Sequence, residues 1–133
     1  MRRKIHSLIG AVGLLLLLSF YSAAQTPTRI KFRPGAISAD VTGTLKSFSS
    51  IRRYVIRVRS GQTIRTEQIG GRGKPITISL ADPDGAEVGD ADASCNSRRE
   101  FAPTHAGDYQ IEVIECRKAE PWRGRFTFRV TVR

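Results

Sequence analysis

Arginine is the side chain through which this sequence is best equipped to do chemistry. The segment Arg117-Lys118-Ala119-Glu120-Pro121-Trp122-Arg123-Gly124-Arg125 sets the chain's one tryptophan among cations. A guanidinium presents donors in a planar fork and grips a carboxylate at two points. Arg and Trp are also the residues most enriched among interface hot spots. The pattern points to a contact with an acidic surface; the alternative reading of the same residues is a solvated basic loop. Arg98 and Arg99 are expected to join this cluster if Cys95 and Cys116 pair.

Other chemistries are thinly supplied. A nucleophilic triad needs a histidine held by a carboxylate and facing a nucleophile. His105 and Asp108 lie three apart beside a turn, and no G-x-S-x-G motif exists. No pair of carboxylates stands out for glycoside hydrolysis, so no catalytic residue is assigned and the chain is read as a non-enzyme. The acidic segment Asp82-Pro83-Asp84-Gly85, with Glu87, Asp90 and Asp92, is the best metal candidate. Its spacing misses the helix-flanked calcium loop, and D-P-D-G is a plain turn between strands. The turn is the preferred reading, and no metal or cofactor is expected. Cys95, Cys116 and His105 form too small a set for a zinc site.

The N-terminus decides the compartment. Met1-Arg2-Arg3-Lys4 is basic, residues 7–20 are apolar with leucine at every position from Leu14 to Leu18, and Tyr21-Ser22-Ala23-Ala24 ends in small residues. This is the three-part form of a secretory signal, with cleavage expected after Ala24. The apolar core is short for a membrane span, so no membrane association is expected after cleavage. Of the 133 residues, 133 − 24 = 109 then remain, with 19 Lys+Arg against 12 Asp+Glu, a net of +7. Export argues against a nucleic-acid partner despite this balance, and none is expected. In an oxidising compartment Cys95 and Cys116 are expected to pair, stabilising by about 3 kcal/mol in the chain-entropy model.

The elements that must carry these residues are strands. After residue 25 helical periodicity is absent and period-two alternation recurs. The inward phases are Ile30 and Phe32; Ala39, Val41, Gly43 and Leu45; Tyr54, Ile56 and Val58; Ile76, Ile78 and Leu80; Tyr109, Ile111 and Val113; and Phe126, Phe128, Val130 and Val132. Residues 62–69 form a weaker run, and Glu100 to Ala102 is the candidate for an eighth strand. Pro34-Gly35, Ser60-Gly61, Gly70-Gly71, Pro83-Asp84-Gly85, Ala106-Gly107 and Pro121 separate the runs. The prediction is all-β: residues 25–133 as one antiparallel β-sandwich of seven to eight strands. Outward-facing arginines are read mainly as a solvated face that discourages edge pairing.

One stretch is no longer anonymous. Phe32-Arg33-Pro34-Gly35-Ala36-Ile37-Ser38-Ala39, followed by Gly43, resembles the F-R-x-G-x-x-S-A pattern of the bacterial periplasmic inhibitors of g-type (goose-type) lysozyme, the PliG-like family. Tyr54 with Ser60-Gly61-Gln62 is similar to that family's Y…GQ, and Ala106-Gly107-Asp108-Tyr109 to its S-G-x-Y. The likeness covers about residues 29–133. A more distant likeness is to pre-peptidase C-terminal domains, which are sandwiches of similar size. The resemblance implies a periplasmic β-sandwich whose loops enter the substrate cleft of a g-type lysozyme. It places an aromatic contact on Phe48, an arginine contact on Arg117, and a second arginine on Arg123 or Arg125. The alternatives are a pre-peptidase-like module binding wall polysaccharide or a partner protein, and a calcium-dependent adhesive module.

Overall fold

Alternation becomes sheet wherever a run has enough apolar residues to cover one face. A computed structural model of the chain describes residues 25–91 and 95–133. The signal read at residues 1–24 and Asp92 of the acidic segment lie outside the described residues. The strands are β1 (Thr28–Arg29), β2 (Ser38–Leu45), β3 (Arg52–Val58), β4 (Ile64–Gln68), β5 (Ile76–Ala81), β6 (Asp90–Ala91), β7 (Arg98–Phe101), β8 (Gly107–Glu115) and β9 (Gly124–Val132). They form a four-stranded sheet, β1-β3-β8-β5, facing a five-stranded one, β2-β9-β4-β7-β6. The all-β sandwich is as read from the sequence, with the short β6 added.

One pairing departs from the antiparallel expectation. β1 lies parallel to β3, with Thr28 opposite Tyr54 and Arg29 opposite Val55. The cause is two successive changes of sheet. The chain leaves β1, turns at Pro34-Gly35 and returns as β2 in the other sheet. It then turns back through residues 46–51, so β3 runs beside β1 in the same direction. All other ladders are antiparallel.

The core sits between the sheets and is built from the inward phases. Tyr54, Ile56, Val58, Ile76, Ile78, Leu80, Tyr109, Ile111, Val113, Phe126, Phe128, Val130 and Val132 are all buried. Tyr54 meets Phe128 edge-on with ring centroids 5.3 Å apart. Gly43 has no side chain because there is no room for one: a Cβ there would collide with the Tyr54 hydroxyl and the Phe126 ring. A glycine that is part of the sequence motif thus lets β2 close on the aromatic centre.

The outward arginines behave as expected of a solvated face. Arg29 grips Asp108 with two bonds, Arg53 pairs with Glu112, and Arg129 grips Asp40 with two bonds. Asp108 and Asp40 are held below the usual carboxylate range chiefly by these hydrogen bonds. Such exposed pairs contribute little each and fade with salt.

Candidate functional site

Strand direction gathers four loops at one end of the sandwich. They are residues 46–51 between β2 and β3, 69–75 between β4 and β5, 95–97 before β7, and 116–123 between β8 and β9. Lys46, Arg72, Lys74, Arg117, Lys118 and Arg123 lie in these loops, and Glu120 is the sole acid among them. None of these cations makes an ion pair among the described residues, unlike Arg29, Arg53, Arg57, Arg65, Arg99 and Arg129 on the strands.

Local bonds fix the two loops that matter most. In the first, the Ser50 hydroxyl accepts from the Lys46 and Ser47 amides at 3.0 and 2.9 Å, and the Ser50 amide donates to the Ser47 carbonyl. This serine turn presents Phe48 at its tip, where it is 37% exposed; among the large apolar side chains described only Ile37, at 57%, is also exposed. The second loop leaves β8 at Cys116, which is bonded to Cys95 with Cα atoms 5.1 Å apart. The expected disulfide is therefore present. The Cys116 amide and the Trp122 indole both donate to the Pro75 carbonyl, at 3.0 and 3.1 Å. The Trp122 amide donates to the Glu115 carboxyl at 3.1 Å.

The loops touch. The Arg117 guanidinium carbon lies 4.3 Å from the centroid of the Phe48 ring. This cation–π contact joins residues far apart in the chain and holds a charged fork above an apolar ring. Beside it runs a shallow groove of about 280 Å³ lined by Lys46, Ser47, Phe48, Pro121, Trp122 and Arg123. Its lining combines two aromatic rings with two cations, a composition suited to an acidic protein segment.

Not every expected residue belongs here. Arg125 stands on β9 opposite Thr44 of β2, on the sheet rather than in the groove, whereas Arg123 lines the groove wall. Arg99 does not join the cluster. Its guanidinium donates to the carbonyls of Ile78 and Gly89 and to the Glu87 carboxylate, tying β7 to β5 and to the segment after it. Arg98 stands opposite Glu67. Sequence reasoning missed Pro75, Glu115, Lys46 and Ser47. Glu115 was within reach, since it occupies the next inward position after Tyr109, Ile111 and Val113.

The other end of the sandwich is built for turning. The Asp82 carboxylate accepts from the amides of Asp84 and Ala86, both at 2.9 Å, so D-P-D-G is the strand-connecting turn read from its sequence. His105 and Asp108 are not partnered with each other: the His105 amide donates to the Tyr109 hydroxyl, and Asp108 takes Arg29. A larger cleft of about 550 Å³ beside β2 has Lys31 and Arg33 on its wall and the Asp40–Arg129 pair within it, remote from the groove.

Solved structures with this architecture complete the geometry. The chain superposes on PliG of Aeromonas hydrophila, a periplasmic lysozyme inhibitor of g-type lysozyme, with a TM-score of 0.64 and 21% identity, covering 81% of this chain and 96% of that one. It shares the fold of that inhibitor. PliG of Salmonella Typhimurium, another periplasmic inhibitor of g-type lysozyme, matches with a TM-score of 0.58 and 16% identity over 83% of this chain and 100% of that one. The pre-peptidase C-terminal domain of a Bacillus anthracis collagenase matches at 0.56 and 17% identity, over 83% of this chain and 97% of that one. No family model matches the sequence, and no curated protein matches it. Both likenesses read from the sequence thus recur in the fold.

Proposed function

We propose that this chain is an exported, periplasmic, non-enzymatic inhibitor of g-type lysozyme that docks its cationic loop end in the enzyme's substrate cleft. The observation that carries the reading is the meeting of Arg117 with Phe48. The resemblance singles out these two residues independently, and the fold brings them into contact at one exposed tip. The fold shared with the Aeromonas and Salmonella inhibitors supports it.

The mechanism follows from charge and stiffness. A glycosidase cleft holds carboxylates that catalysis requires. A guanidinium entering the cleft binds such a carboxylate through two hydrogen bonds, displaces water and leaves no room for the sugar. Arg117 is the principal contact, Phe48 orients it, and Trp122 and Arg123 line the adjacent groove; Arg125 is the outlying candidate. The disulfide, the serine turn and the bonds to Pro75 limit loop motion before docking and so reduce the entropy lost on binding. The cationic end also selects its target: a lysozyme with an acidic or near-neutral cleft attracts it, while a strongly basic one repels it.

Arg117→Ala should weaken inhibition by more than about 1 kcal/mol, or about fivefold in the inhibition constant. Inhibition unchanged in that variant removes Arg117 from the contact. A second reading, a wall-polysaccharide or partner-binding module, is favoured by the likeness to the collagenase domain and by the D-P-D-G turn. Pull-down on purified peptidoglycan separates the two. An inhibitor ignores the polymer and retains the lysozyme; a wall-binding module does the reverse.

A further inference from the structure

Glu115 is out of place for a core. It is fully buried, at the inward position that ends β8. One carboxyl oxygen accepts from the Trp122 amide, and the other has no hydrogen-bond partner among the described residues. No described cation pairs with it. A carboxyl sealed from water with an oxygen unpaired costs stability, and an apolar side chain of similar size would fill the position at less cost. Stability therefore gives no reason for a carboxyl at this position.

Its surroundings supply one. Glu115 precedes the disulfide-bonded Cys116 and reaches across the base of the loop to Trp122, where the loop returns to β9. Trp122 is in turn bonded through its indole to Pro75. Between these two anchored residues the chain projects Arg117, whose guanidinium sits on Phe48. The disulfide fixes where the loop departs but not where it returns. The return is fixed at Trp122, by its amide's bond to Glu115 together with its indole's bond to Pro75.

We propose that Glu115 is a positioning residue: a buried acceptor that closes the loop between Cys116 and Trp122 and so aims Arg117, at the expense of fold stability. Its consequence for inhibition rests on the function proposed above; its effect on the loop does not.

Glu115→Leu and Glu115→Gln test this. Gln keeps an oxygen for the Trp122 amide; Leu keeps the volume and removes the acceptor. Amide exchange at Ala119 and exchange of the Trp122 indole proton report loop order. They are bonded to the Cys116 and Pro75 carbonyls rather than to Glu115. The Leu variant should have an equal or higher Tm, at least tenfold faster exchange at both reporters, and at least tenfold weaker inhibition. The Gln variant should match wild type in exchange and inhibit within about twofold of it. Unchanged exchange in the Leu variant overturns the proposal. So does a lowered Tm with faster exchange throughout the core, which would make Glu115 an ordinary packing residue. Exchange and Tm are read without lysozyme, so a loosened Leu loop in a protein that inhibits nothing would refute the function alone.

Discussion

Gly43→Ala adds one methyl group at the most crowded of the described glycines. The new Cβ would overlap the Tyr54 hydroxyl and the tip of the Phe126 ring, both inside the core. Neither ring can swing aside freely. Tyr54 packs edge-on against Phe128, and Phe126 stacks with Phe128 at 6.3 Å. Forcing a methyl into such packing costs about 1–3 kcal/mol. At about 4–8 °C per kcal/mol for a domain of this size, Tm should fall by about 5–20 °C. The collision with Tyr54 can be isolated. Its buried hydroxyl makes no hydrogen bond of ordinary geometry among the described residues, although the Arg52 guanidinium is near enough for its charge to act on it. Tyr54→Phe alone should therefore be neutral or slightly stabilising. In the Gly43→Ala background the same change should recover about 1 kcal/mol more, because it also removes an overlap. Urea denaturation of the four proteins in this cycle measures both quantities. A Gly43→Ala variant within about 0.5 kcal/mol of wild type, or strict additivity of the two changes, would refute this account of the glycine.

Two further outcomes are expected of the fold. Asp40 and Asp108 are charged and hydrogen-bonded by arginine, with their pKa values held down, so their contribution is complete at neutral pH and is lost as pH falls through the lowered values. Tm should decline below about pH 4, less steeply in Asp40→Asn/Asp108→Asn and less steeply at high salt; an identical acid limb in the double variant would show that these pairs are not its source. Replacing Cys95 and Cys116 by serine should cost about 3 kcal/mol and lower Tm by more than 10 °C, as should reduction of the native protein; an unchanged Tm would show that the cross-link contributes no stability.

The strands were legible because both sheets bury one face, so alternation of apolar residues was nearly complete from Tyr54 to Val58 and from Phe126 to Val132. β6 was not, since two residues carry no period. The parallel pairing of β1 escaped because no local pattern encodes which sheet a strand joins. At the loop end, residue type alone marked Trp122 and the arginines, and the disulfide followed from compartment and cysteine count. Phe48 and Arg117 were marked by resemblance; their contact belongs to the tertiary fold. Arg99 was misplaced for a related reason. A strand sends alternate side chains to opposite faces, so the neighbours Arg98 and Arg99 diverge, and Arg99 finds carbonyls and Glu87 instead of the loop. Glu115 shows the converse: an inward phase continued one step further would have exposed a carboxyl in the core.

The central claim is tested most directly by following peptidoglycan digestion by a fixed amount of g-type lysozyme while this protein is added. The rate should fall in proportion to added protein and approach zero beyond an equimolar ratio when the enzyme concentration exceeds the inhibition constant. Digestion continuing at its full rate in excess protein would contradict the account.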